Sequence, residues 1–148
     1  MPETSTDPLA DFPLVISLPV QWGDQDSFGH VNNVVYFRWF ESARIAYFEK
    51  VGLQQLMTTE SVGPILAAIN CNYRRQLTYP DTVRVGARIT KIGRSSMTME
   101  HRLVSESAGA LAADGDSTIV AFDYDAGKSH PVPDVIREAI SKFEGKTL

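Results

Sequence analysis

The chain has 148 residues, 43% of them hydrophobic and 22% charged, which is enough apolar material for one core and too little length for a second independent one. A formal net charge of -4 offers phosphate no basic field, so non-specific nucleic-acid binding is excluded. The single cysteine, Cys71, excludes an intrachain disulfide, and without a CxxC pair or a Cys/His cluster no metal site is expected.

Residues 1–11 are polar and are read as a mobile tail, leaving one domain over 12–148. The N-terminus lacks the basic start and apolar run of a signal peptide. No stretch approaches the roughly 20 apolar residues of a membrane span. The expected compartment is therefore the cytoplasm, with no membrane partner. Leu14 to Trp22 is a β-rich run ending at Gly23, which predicts a first strand. A polar loop from Gly23 to His30 follows.

From Asn33 to Val51 apolar residues occupy most of a helical wheel. Val35, Trp39, Phe40, Ala43, Ala46 and Tyr47 form one wide face. Arg38, Glu41, Ser42, Arg44 and Glu49 fall on the other, interleaved with Phe37, Ile45 and Phe48. Neither glycine nor proline interrupts the run, and Gly52 supplies a C-terminal stop. A helix this apolar in a small protein is normally wrapped by other elements.

The rest reads as β. In Pro64 to Leu77, residues Ile65, Ala67, Ile69, Cys71 and Tyr73 share a side, with Cys71 a buried, inert thiol. Tyr79-Pro80-Asp81 is a turn. Val83, Val85, Ala87 and Ile89 alternate with Arg84, Gly86, Arg88 and Thr90, a half-buried strand. Gly93-Arg94-Ser95 turns the chain. Met97, Met99, His101 and Leu103 then alternate with polar residues. After a turn at Ser107-Ala108-Gly109, Ala110 to Tyr124 forms a long last strand with a bulge at Asp114-Gly115. Pro133 to Phe143 forms a short closing helix. Helix and strands are segregated, so the fold class is α+β: a five-stranded antiparallel sheet curled around one long central helix.

The informative segment runs from Trp22 to Arg44. Two carboxylates, Asp24 and Asp26, sit in a loop that feeds a helix N-terminus. The first turn of a helix has N–H groups without intrahelical partners and carries partial positive charge. Such a terminus stabilises a developing oxyanion, and a carboxylate beside it attacks a carbonyl or activates water. These are the minimal parts for acyl transfer to water. A thioester suits them because a thiolate leaves without strong protonation.

Asp24-Gln25-Asp26-Ser27-Phe28-Gly29, followed by His30-Val31-Asn32-Asn33, resembles the D-x-D-x-x-G signature of hotdog-fold thioesterases of the 4-hydroxybenzoyl-CoA thioesterase type. The strand-helix-four-strand order agrees over nearly the whole chain. The resemblance implies hydrolysis of acyl-CoA, with CoA as part of the substrate and no cofactor. It places the catalytic aspartate on Asp26 and the carbonyl-polarising backbone N–H on Asn33. Where that family's aromatic members often carry aromatic or hydroxyl side chains, this chain has His30, Asn32 and Asn33, taken as substrate contacts.

Asp24 reads best as a structural hydrogen-bonding group, and Asn32 or Asn33 as an N-cap by side chain. Glu41 is a rival catalyst, because another branch of hotdog thioesterases uses a carboxylate on the central helix; an ion pair with Arg38 or Arg44 is the simpler reading. Arg84 and Arg88 on one strand, with Arg94 and Ser95 in the adjoining turn, are candidates for the nucleotide end of CoA. Two other functions fit the same fold, a non-catalytic acyl-CoA-binding module and an enoyl-CoA hydratase pairing His30 with a carboxylate. A curled sheet leaves an edge strand open, so a homodimer with a continuous sheet, or a homotetramer built from two, is expected.

Overall fold

Helix α1 spans Asn33–Val51 in the computed structural model, which describes residues 7–148. Its N-cap is Asn32, whose side chain accepts from the Val34 N–H at 3.0 Å. Gly52 ends it in the left-handed conformation (φ 84°), where its N–H donates to the Glu49 and Phe48 carbonyls. Val35, Tyr36, Trp39, Phe40, Ala43, Tyr47, Phe48 and Val51 are all buried.

The strands are β1 (Leu14–Pro19), β2 (Val62–Ile69), β3 (Asn72–Tyr73), β4 (Thr82–Ile92), β5 (Ser96–Ser105), β6 (Ala110–Asp123) and β7 (Lys128–Ser129). They form one antiparallel sheet of seven strands in the order β1-β4-β5-β6-β2, with the short β3 and β7 also paired to β6. The inward alternation read from the sequence holds: Val83, Val85, Ala87 and Ile89 on β4, and Met97, Met99, His101 and Leu103 on β5, are at most 1% exposed. These rows pack on α1. Helix α3 (Asp134–Glu144) closes one end, where Glu144 accepts from the Tyr47 hydroxyl and from the Ile89 N–H. Among the described residues, no helix is long and apolar enough to cross a membrane.

Several expectations need correction. The first strand stops at Pro19, and Trp22–Asp24 is a 3-10 turn instead of strand. Helix α2 (Leu53–Glu60) was not foreseen; its apolar period, Leu53, Leu56 and Met57, spans little more than one turn directly after the Gly52 stop. Arg44 belongs to the buried face of α1, with 8% exposure. Residues 1–6 of the expected tail lie outside the described residues, but the remainder of it is docked. Leu9 and Phe12 pack with Val104 and Leu111 on the outer face of the sheet. Gly86 makes room for them, since a Cβ there would lie 2.7 Å from Leu9 and 2.9 Å from Phe12.

The stretch from Pro64 to Leu77 is not one strand. A bulge between Leu66 and Ala68 shifts the register against β6, so the inward positions change from even to odd along the chain. Leu66 and Ile69 therefore turn towards α1, and Ile65 turns outward. The bulge in β6 falls at Ala112, not at Asp114-Gly115: Leu103 pairs with Ala113, and Val104 with Leu111.

Inside the sheet His101 is fully buried, with its Nε2 2.7 Å from the Ser117 Oγ and its ring stacked 4.7 Å from Phe40. Burial, with Arg44 adding to it, pushes its pKa down to about 3, so the imidazole is neutral at ordinary pH.

Gly115 sits where the chain between β2 and β3 crosses β6, and a Cβ there would overlap the backbone oxygen of Asn70. Gly115→Ala must push backbone aside, so urea unfolding should show a loss of at least about 2 kcal/mol, within the usual cost of overpacking. A change under about 0.5 kcal/mol, the level of a neutral surface substitution, would contradict this account of the crossing.

Candidate active site

The loop from Gln21 to Asn32 is pinned at both ends. Asp24 accepts from the Gln21 N–H through Oδ2 at 2.8 Å, and its carbonyl accepts from the Asn32 N–H at 2.9 Å. Asp24 thus has the structural task expected of it. The Val31 N–H donates to the Leu77 carbonyl at 2.8 Å, tying the loop to the segment ahead of β4. Between these anchors the chain folds back on itself: the Asp26 N–H donates to the His30 carbonyl at 2.8 Å, and Gly29 turns with φ 80°.

This turn sets the orientation of Asp26. Its Oδ1 accepts from the Phe28 N–H at 2.8 Å and, more weakly, from the His30 N–H at 3.4 Å. Oδ2 has no partner among the described residues. At the start of α1, the Asn33 N–H likewise donates to none of the described residues, because the Asn32 side chain caps Val34 and the Asn32 carbonyl takes the Val35 N–H. The cap holds the first turn in shape while leaving one oriented donor open.

Asp26, His30 and Asn33 line one open cleft of about 630 Å³, together with Phe28, Tyr36 and Tyr73. Sequence reasoning missed both tyrosines. Tyr36 is 3% exposed; burial first, then Cys71 and Tyr73, push its pKa up to about 12, so its hydroxyl stays protonated. It donates to the Arg75 carbonyl at 3.3 Å, and the Tyr73 hydroxyl donates to the Asn33 carbonyl at 3.0 Å. Their rings meet edge-on with centroids 4.9 Å apart. The two hydroxyls thus fix the cleft wall to the helix start. Cys71 is partly buried beside them, and burial pushes its thiol pKa up, away from a reactive thiolate.

The remaining candidates lie elsewhere. Asn32 faces the helix as its cap and does not line the cleft. Arg88 is held by Glu100 at 2.7 Å and lies 4.6 Å over the Phe12 ring, under the docked N-terminal segment. Arg84 faces Asp7 at 3.9 Å on the same outer face. Expected to be open to a nucleotide, this face is instead covered by residues that were read as tail. Arg94 and Ser95 occupy the turn between β4 and β5, where the Arg94 carbonyl accepts from Val132 and Arg137, and neither residue lines the cleft. Glu41 lines a separate depression of about 280 Å³ with Phe37, Arg44 and Leu66. The ion pair expected for it with Arg38 or Arg44 is not among the described ones. The His30 ring is not paired with a carboxylate among the described residues, although it shares the cleft with Asp26.

A model of the thioesterase-like superfamily matches residues 20–140. The chain belongs to that superfamily. This thioesterase-like chain is 30% identical over 121 residues to YsmA of Bacillus subtilis, covering 82% of this chain and 80% of that protein. It is 26% identical over 118 residues to the long-chain acyl-CoA thioesterase FadM of Escherichia coli, covering 80% of this chain and 89% of FadM. Among solved structures, a Thermus thermophilus thioesterase complexed with coenzyme A and Zn superposes with a TM-score of 0.83 at 34% identity, covering 94% of this chain and 99% of that one. This superfamily member is thus a thioester hydrolase on the hotdog fold.

Proposed function

We propose that this thioesterase hydrolyses acyl-CoA to free acid and CoA in the cleft at the start of α1. The observation that carries the proposal is the pairing of a carboxylate with one open oxygen, Asp26 Oδ2, and one open backbone donor, the Asn33 N–H, on the walls of a single cleft. The thioester carbonyl oxygen lies against the Asn33 N–H, at the positive end of the helix. Asp26 either takes a proton from water as that water adds to the carbonyl carbon, or adds directly to give a mixed anhydride that water then opens. Either way the carbon–sulfur bond breaks and the CoA thiolate leaves. His30 borders the acyl position, and Asn32 acts through the cap.

The D-x-D-x-x-G run resembling the 4-hydroxybenzoyl-CoA thioesterase type supports Asp26 as the acting carboxylate. FadM, named for long-chain acyl-CoA, and the CoA held by the Thermus thermophilus structure support the substrate class. An open sheet edge supports a homodimer or homotetramer. Strand β2 is an edge, and Ile65 and Leu66 on it are 39% and 43% exposed. A second copy pairing there continues the sheet and covers both residues. Two such dimers make the tetramer.

Two measurements test this. Asp26→Asn retains Oδ1 for Phe28 and His30 but loses the charge, so thiol release should fall at least about a hundredfold with the melting temperature little changed. Glu41→Gln should keep most of the activity. A folded Glu41→Gln protein without activity, or an active Asp26→Asn, would move the chemistry to the Glu41 depression. For the assembly, sedimentation at micromolar concentration should give a dimer or tetramer, and a monomer would contradict the edge pairing.

A further inference from the structure

The acyl-CoA reading leaves a charge problem, because CoA brings several phosphate charges to an acidic chain. The cation that meets them must lie within a pantetheine arm's reach of Asp26, face solvent and be free of a carboxylate. Few arginines qualify. Arg74 is held by Asp114 through two bonds of 3.1 and 3.2 Å. Arg88 and Arg102 both contact Glu100, at 2.7 and 3.3 Å. Arg44 is buried. Arg75 differs from all of these. It is exposed, lines the Asp26 cleft, and makes no side-chain hydrogen bond or ion pair among the described residues.

Its backbone is nevertheless fixed. The Arg75 N–H donates to the Ala112 carbonyl at 3.1 Å, and its own carbonyl accepts from the Tyr36 hydroxyl at 3.3 Å. A free guanidinium therefore extends from an anchored point on the cleft wall. Arg75 and Gln76 also line a second depression of about 260 Å³, bordered by Thr78, Ser105 and Ser107. The two hollows share this one stretch of chain, so a long ligand can run from Asp26 past Arg75 into the second. Asp81 also borders the second depression, but its carboxylate already accepts from the Ser105 hydroxyl and from the Thr82 and Ser107 N–H groups.

We propose that Arg75 binds the diphosphate of CoA, with the pantetheine arm lying in the Asp26 cleft and the nucleoside lying over the Thr78–Ser107 depression. This rests on the acyl-CoA reading for the identity of the ligand. It moves the nucleotide from the outer face of β4 to the stretch of chain that the two hollows share. A planar guanidinium meets two phosphate oxygens with parallel N–H donors, which an ammonium cannot do.

The test is CoA binding by titration calorimetry to the full chain and its Arg75→Ala, Arg75→Lys and Arg94→Ala variants, at two salt concentrations. Arg75→Ala should raise the Kd at least about tenfold, as expected for loss of a charge-assisted pair. Arg75→Lys should fall between. The wild-type Kd should rise with salt, and Arg75→Ala should lose most of that dependence, a change that a merely structural role would not produce. Arg94→Ala should bind as the wild type does. An unchanged Kd in Arg75→Ala, a loss in Arg94→Ala instead, or an unaltered salt dependence would overturn the proposal, as would failure of the wild type to bind CoA. Because binding is read without turnover, a wild type that binds CoA through Arg75 but hydrolyses no acyl-CoA sinks the hydrolase reading and leaves this one standing.

Discussion

A helix carrying large apolar side chains on most of its faces is stable in water only when other elements cover those faces, and α1 imposes that demand on the whole chain. Tyr47, Phe40 and Ala43 are completely buried along it. One flat sheet covers one side of a helix. Covering more requires a sheet that curls, with the rows from β4 and β5 meeting the helix along its length. Bulges at Ala67 and Ala112 supply local bends on the β2 and β6 side, where the sheet passes around the helix.

The same demand positions the chemistry. Since the sheet grips the body of α1, its first turn emerges at the rim, where the entering loop is short and held by Asp24, Val31 and Asn32. An oriented N–H and a carboxylate with one free oxygen then face the same cleft. The cleft wall is the strip from Tyr73 to Gln76, fastened to β6 by Arg74 and to α1 by two tyrosine hydroxyls. Packing of the core and geometry of the site are thus one problem: the side chains that fill the space beside the helix start also hold the Asn33 N–H and Asp26 at one cleft.

How far this was legible in the sequence depended on the kind of signal. The helix from Asn33 to Val51 was readable to the residue, because its apolar run is bounded by an asparagine cap and a glycine stop. Strict alternation revealed the inward rows of β4 and β5. Spacing to the helix marked Asp24 and Asp26 together, and only the resemblance to the D-x-D-x-x-G signature singled out Asp26. What failed has a common cause, a pattern altered by contacts distant in sequence. The bulge in β2 inverts a period-two reading that looked sound locally. Leu9 looked like part of a polar tail until Gly86 gave it a place to dock beside Phe12. Arg88 looked free for a nucleotide because nothing local indicates that Glu100 and Phe12 hold it. Tyr73 and Arg75 carried no site signal, since only the pairing of β3 with β6 brings them to the helix start, where Tyr36 already lies.

The central claim is that the thioester carbonyl sits between the Asn33 N–H and Asp26. It is tested most directly by a crystal structure with a ketone analogue of acyl-CoA, in which a methylene replaces the sulfur and hydrolysis is blocked. The account predicts the ketone oxygen within about 3 Å of the Asn33 nitrogen, a hydrogen-bond distance, with Asp26 Oδ2 facing the carbonyl carbon directly or through one water. A ketone lying against Glu41 in the neighbouring depression, with Asp26 facing only solvent, would contradict it.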